Sequence, residues 1–237
     1  VGTINKAGSR YTWDFALDSA RIVPDAAQEA GAQVATAIGM LGYESLELSM
    51  ASSAVYDEST GRMQTVGDNY LELRDGVRLE MEQDFGGYDE YYAALPEMAE
   101  RFGEGAKEAP SEDADAVLEM MAPIILYNMS LRIVDQSLLE RALEAGAAAQ
   151  GITTDELRMQ TAAMVGMGMM SAPPEIPRPL LSQLSGALTQ FINNGGSLTI
   201  DVTPPEPVSI GTIAEQVEDG TFDYNALGIT FSADAPQ

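Results

Sequence analysis

The 237-residue chain has no cysteine and no histidine. Without thiols there is no sulfur nucleophile, disulfide, zinc–thiolate centre or iron–sulfur cluster. Without imidazole there is no Ser-His-Asp triad, no histidine base and no histidine-held zinc or haem. Lysine is almost absent too: only Lys6 and Lys107 occur, both in polar stretches, which argues against a buried catalytic amine. Walker, GxGxxG and GxSxG loops are missing. What survives is carboxylate, tyrosine and Ser/Lys chemistry, and oxygen-ligand metals such as calcium. The acidic pairs Asp57-Glu58 and Glu112-Asp113-Ala114-Asp115 lack the spacing of an EF-hand loop. With 37 carboxylates any two can be named acid and base, so none is named. The expectation is a non-enzymatic protein with no metal and no cofactor.

Positive charge is scarce as well. Twelve Lys+Arg stand against 37 Asp+Glu, a net charge of −25. That balance repels nucleic-acid phosphates and anionic lipid surfaces, so neither is an expected partner. The acids are dispersed, as on a solvated surface that repels itself. Raising sodium chloride to about 1 M, where screening shortens to about 3 Å, is therefore expected to raise the melting temperature. A flat or falling melting temperature would contradict this. No run of eighteen apolar residues occurs, so no transmembrane helix is expected. The chain opens VGTINKAGS and a strand-like run starts at Arg10, which leads us to expect a processed or fragmentary chain.

What is present reads as alternating strands and amphipathic helices. RYTWDFALDSARIV puts Tyr11, Trp13, Phe15 and Leu17 on one side of a strand. A helix follows Pro24 and ends at Gly42. YESLELSMASSAVY aligns Leu46, Leu48, Met50, Ala54 and Tyr56. RMQTVGDNYLELR is a strand with an irregularity at Gly67-Asp68-Asn69, and Asp75-Gly76 predicts a two-residue hairpin into VRLEMEQDF, with Val77, Leu79, Met81 and Phe85 aligned. GEGAKEAPSEDADA is linker-like. A short helix (DAVLEMMA) precedes the strand ILYNMSLRIV, which contains the sequon Asn128-Met129-Ser130, discounted because it lies within a strand. Asp135 or Ser137 can cap the next helix, with Glu140 completing a box on Ser137, and Thr153 with Glu156 repeats the device. A helix closed by Gly195-Gly196, the strand SLTIDV, a helix from Ser209 and the strand LGITFSAD complete the chain.

RIV occurs twice, at Arg21–Val23 and Arg132–Val134, each time between a strand and a helix carrying EAGA. Two readings stand: a diverged duplication with halves of about 1–105 and 111–237, or recurrence of a unit that packing favours anyway. Met159, Met164, Met167, Met169 and Met170, interleaved with Gly166 and Gly168, form the most unusual local feature, with Met120 and Met121 upstream. Methionine is pliable and accepts varied apolar partners, although it also substitutes well for leucine inside a core. Tyr88, Tyr91 and Tyr92 make a second candidate patch, for sugar stacking or a partner, or a cover for a sheet edge.

The stretches LGYESLELSM, VYDESTGRM and LRDGVRLEME, followed by SLRIVDQSLLERALEAGAAAQGITTDELR and GGSLTIDVTPPEPVSI, resemble uncharacterised exported proteins of alphaproteobacteria. Those combine a long-stranded sheet with YD-x-x-[ST] hairpins and a strand leading into a D-x-[SG]-L-[LV]-[ED]-R-A-L helix. The resemblance implies a mixed fold and an envelope (periplasmic or otherwise exported) location, and it transfers no activity and no functional residue. The methionine run and YDEYYAAL depart from its pattern.

Together these features lead us to expect one α+β domain over residues 1–237: a mainly antiparallel, twisted sheet with helices packed on one face. The leading expectation for function is an apolar ligand or lipid held between sheet and helices. Its candidate lining is Met159, Met164, Met167 and Met170 on one wall and Leu46, Leu48, Leu79 and Met81 on the other. The alternative is a structural module that offers a sheet edge or the Met-rich helix to a partner protein.

Overall fold

The structure, a computed structural model, describes residues 2–24, 29–93, 96, 118 and 120–236. In chain order the elements are β1 (Gly2–Ala7), β2 (Arg10–Ile22), α1 (Glu29–Met40), β3 (Leu46–Asp57), β4 (Arg62–Thr65), β5 (Tyr70–Leu73), β6 (Val77–Gly86), β7 (Ile125–Asp135), α2 (Leu138–Gln150), α3 (Thr154–Met170), α4 (Arg178–Asn194), β8 (Ser197–Val202), β9 (Val208–Ser209), α5 (Ile210–Glu218) and β10 (Ile229–Asp234). The strands form one antiparallel sheet in the order β1-β2-β3-β4-β6-β7-β8-β10, with β5 lying between β3 and β6 beyond β4, and β9 paired to β7. The fold is therefore α+β. The linker-like stretch, Lys107 and the Glu112–Asp115 group lie outside the described residues, as does most of the short helix before β7; Leu118, Met120 and Met121 of that helix are helical.

Register divides the side chains into two faces, because residues directly opposite in a sheet point the same way. One row of direct partners runs Leu17–Met50–Leu71–Leu79–Ile133–Leu198–Ala233 across the sheet. A parallel row runs Met81–Leu131–Ile200–Phe231. The opposite face carries Arg62, Gln64, Glu72, Arg78, Glu80, Asp84, Arg132 and Ser197. In β2 the pairing slips by one residue between Leu17 and Ala20, which returns Ile22 to the apolar face opposite Leu46. Without that bulge the end of β2 would turn its apolar residue to the polar side.

The irregularity predicted at Gly67-Asp68-Asn69 is where one long strand divides into β4 and β5, both of which pair with β3 and β6. Asn69 fills the gap: its side-chain oxygen accepts from Ser53 N (2.7 Å) and its amide donates to Val66 O (3.1 Å). The β5–β6 turn corrects the expectation of a two-residue hairpin. Leu73 pairs with Val77, leaving three loop residues, and Asp75 takes the positive φ (55°) rather than Gly76. Gly76 is required for space, since a Cβ there would lie 2.8 Å from the Tyr43 hydroxyl and 2.9 Å from the Leu73 side chain. Its carbonyl accepts from the amides of Gln136, Ser137 and Leu138 at 2.9–3.1 Å, docking the hairpin tip onto the start of α2.

Helix ends follow the sequence with one exception. The Thr153–Glu156 capping box forms in both directions, and Ser209 Oγ accepts from Thr212 N (3.0 Å) at the start of α5. The Ser137–Glu140 box does not form. Asp135 Oδ1 caps α2 by accepting from Leu139 N (2.8 Å), Ser137 Oγ donates to Asp75 O, and Glu140 pairs with Arg158 of α3. Two nearby groups offer better-placed partners than the box supplies.

Helix α4 packs on β8 and β10, and α3 packs on α2 and α4. Leu181, Ala187 and Ile192 of α4 are buried, with Leu198 and Val202 of β8 on the apolar face beneath them. Gln190 Nε2 donates to Ala233 O (2.7 Å), tying α4 to the edge strand β10. The buried apolar residues are few among those described, and no side chain is below 2% exposed.

Candidate functional site: an incompletely covered apolar face

Helix α4 covers the β8–β10 end of the apolar face, and Ala54 of β3 and Met63 of β4 are buried further along it, but among the described residues a stretch on β1, β2, β5 and β6 is left exposed. On β2, β5 and β6, Phe15, Leu71 and Met81 are 42–46% exposed, and Ile4 on β1 is 77% exposed. Leu46, Leu48, Leu17, Met50 and Leu79, between or beside them, are half-buried. A band of apolar side chains in water is unfavourable by about 25 cal/mol for each Å² that a partner or ligand would cover. Of the candidate lining residues, Leu46, Leu48, Leu79 and Met81 all belong to this face.

The methionines lie elsewhere. Helix α3 turns Leu157, Thr161, Val165 and Met169 inward, while Met159, Met164, Met167 and Met170 are 62–80% exposed. Arg158 anchors the helix by donating to Ile192 O (2.6 Å) and pairing with Glu140. A cavity of about 780 Å³ lies between the end of α3 and α4, lined by Met169, Met170, Leu181, Gly186, Gln190 and neighbours, and no sheet residue borders it. The two walls expected from the sequence therefore stand apart: one is the open sheet face, the other the outer side of a helix.

The polar face is an ordered ladder. Arg62 donates twice to Asp84 (Nε–Oδ1 2.7 Å, Nη2–Oδ2 2.6 Å), and Gln64 Nε2 donates to the same carboxylate at 2.8 Å. Arg62 also lies 4.0 Å over the Tyr127 ring. Burial pushes the Asp84 carboxyl up, but the bonds from Arg62 and Gln64 outweigh it and hold it below the usual carboxylate range. Arg78 bridges Glu80 (2.9 Å) and Glu72 (3.3 Å), and Arg132 links Glu80 (3.0 Å) to Ser197 Oγ (3.2 Å). This face is self-satisfied: among the described residues no buried side-chain polar atom lacks a partner.

At the far end of the sheet, Tyr88, Tyr91 and Tyr92 on a helical turn after β6 join Tyr11 and Tyr56 in one aromatic cluster. Tyr11 stacks on Tyr56 (centroids 6.3 Å), and Tyr92 meets Tyr56 edge-on at 5.6 Å. Burial, with smaller contributions from Tyr92 and Tyr91, pushes the Tyr88 hydroxyl up to about 12, so it stays neutral at ordinary pH. Lys6 and Tyr11 both donate to Glu58, at 3.2 Å and 2.8 Å, which lowers that carboxyl, and Asp57 is occupied by Ser9 and Ser59. Beside the cluster is a cavity of about 570 Å³ lined by Ile4, Trp13, Asp14, Phe15, Tyr92 and the start of β1. Trp13, Phe15 and Leu17 read clearly as one strand face. Their meeting with Tyr92 was not legible, because β1, whose sequence GTINKA is mostly polar, gave no strand signal.

Among the described residues no group of three or more acids is arranged to hold a metal ion, and no helix is long and apolar enough to cross a membrane. The fold and this site define an α+β protein with one polar and one partly uncovered apolar sheet face. A family model whose description reads "Uncharacterized protein" matches residues 70–234, from β5 through β10, and the chain belongs to that family. No curated protein matches it.

Proposed function

We propose that this is a non-enzymatic exported envelope protein that carries an apolar ligand, an acyl chain above all, along the open part of the apolar sheet face. The observation that carries the reading is the exposure of Phe15, Leu71 and Met81 on the same sheet face as the half-buried Leu17, Met50 and Leu79. An acyl chain is long, narrow and apolar, which suits a band running across several strands. The export assignment rests on the sequence resemblance. We also read the two RIV units as a diverged duplication, since β2 and β7 run the same way, place Ile22 and Ile133 on the apolar face, and pair with the strand after their helices.

The test is displacement of the neutral probe N-phenylnaphthylamine by a monoacylglycerol. Leu71→Glu and Met81→Glu are expected to weaken displacement about tenfold or more, because a carboxylate cannot be buried unpaired against an acyl chain. Met167→Glu, on the outer side of α3, is expected to leave it unchanged. Loss of binding in Met167→Glu alone would contradict the sheet assignment. A second reading has its own support: α3 buries no residue and presents Met159, Met164, Met167 and Met170 to water, as a helix would that receives an apolar helix of a partner protein.

A further inference from the structure

The aromatic cleft at the β1–β2 end of the apolar face has a chemistry that the acyl-chain band lacks. Trp13 and Phe15 stand side by side on one face of β2, with Ile4 of β1 opposite Trp13, and Tyr92 completes the wall. Ring faces carry negative potential and attract cations, most strongly cations without a tight hydration shell. The same aromatic system already holds one: the Lys6 ammonium lies 4.2 Å from the centroid of the Tyr11 ring, which stacks on Tyr56, which in turn meets Tyr92. The Tyr56 hydroxyl is pushed up by burial first and then by the nearby carboxylates Asp89 and Glu58. A chain of net charge −25 attracts cations and repels anionic head groups.

We propose that this cleft binds a quaternary trimethylammonium group of the choline type, with the methyls against Trp13, Phe15 and Tyr92. The cavity of about 570 Å³ is ample for that group and is continuous in strand order with the apolar band, since Phe15 and Leu17 are successive residues of one face of β2. The proposal deepens the acyl-carrier reading and rests on it in so far as the ammonium belongs to a lipid: the head group would sit in the cleft and the chain along the sheet. Of the residues proposed to hold the ammonium, Trp13 and Phe15 precede the family-matched stretch and Tyr92 lies within it.

Trp13 is the sole tryptophan, so its fluorescence reports from inside the cleft. The wild-type protein is titrated with choline, with its neutral isostere dimethylbutanol, and separately with lysophosphatidylcholine and a monoacylglycerol of equal chain length. Choline is expected to give a saturable change in Trp13 emission at concentrations at least tenfold below those of the isostere. Lysophosphatidylcholine is expected to displace N-phenylnaphthylamine at least tenfold better than the monoacylglycerol. Tyr92→Leu should abolish both preferences, and Tyr92→Phe, which keeps the ring, should retain them and shows that the cleft is intact. Equal responses to choline and its isostere would overturn the proposal. So would the absence of any choline response, and if monoacylglycerol binding persisted then the acyl-carrier reading would be left standing. Choline binding without any acyl displacement would support the cleft as a site for free quaternary ammonium compounds and overturn its link to a lipid chain.

Discussion

Replacing Asp84 by alanine is expected to lower the melting temperature by about 5–10 °C at neutral pH. Asp84 is 7% exposed and accepts two bonds from Arg62 and one from Gln64. Removing one member of a buried pair costs about 3–5 kcal/mol, chiefly because the other charge loses its partner. The Arg62 side chain is 38% exposed and regains water, so about 2–3 kcal/mol is the expected cost, at about 2–4 °C for each kcal/mol in a chain of this size. The pH dependence has a definite sign. The Asp84 carboxyl is held below the ordinary 3.8, so its contribution is complete above that value and disappears as pH falls through the lower folded-state value. The stability gap between wild type and Asp84→Ala should therefore be constant near neutrality and close in acid. A gap that persisted undiminished well below pH 3.8 would contradict the pairing. Arg62→Met combined with Asp84→Leu should recover much of the loss, since apolar side chains of similar size leave no buried charge.

Gly228→Ala is expected to be strongly destabilising, and Gly151→Ala is its control. Both glycines end a helical segment in the left-handed region, Gly151 at φ 68°, ψ 29° and Gly228 at φ 57°, ψ 38°. The conformational cost of alanine there is about 1–2 kcal/mol at either site. The surroundings differ. Nothing lies within 4 Å of a Cβ on Gly151, whereas one on Gly228 would sit 2.1 Å from Thr203 O and 2.9 Å from Thr203 C. That obstacle is backbone, at the point where β10 turns in to pair with β8, so the strand must move. Overpacking of this kind adds about 1–3 kcal/mol. Chemical denaturation should show Gly228→Ala losing roughly twice as much stability as Gly151→Ala or more. Equal losses would mean that the Gly228–Thr203 approach is not as close as described.

The fold was legible wherever alternation or caps were strong. β2, β3, β6, β7, β8 and β10 each carry a period-two apolar pattern, and Thr153–Glu156 marked the start of α3 correctly. Strand β1 was not legible, because GTINKA has one large apolar residue and its pairing is supplied by β2. The turn at Asp75-Gly76 was misjudged because Tyr43 and the start of α2, both distant in sequence, decide its geometry. For the site, the sheet wall of Leu46, Leu48, Leu79 and Met81 followed from alternation. What periodicity could not supply was the helix's orientation: methionine counts equally well as core and as surface, and Leu157, Thr161 and Val165 turn inward in place of Met159, Met164 and Met167. The Arg62–Asp84 ladder was equally hidden, since partners 22 residues apart meet only through register.

The most direct measurement of the central claim is a native mass spectrum of the protein purified without detergent, set beside that of Leu71→Glu. A one-to-one adduct with the mass of an acyl-bearing molecule is expected on the wild type, and its absence from the variant at unchanged charge-state distribution. A wild-type spectrum of bare protein, together with no displacement of N-phenylnaphthylamine by monoacylglycerol, would contradict it.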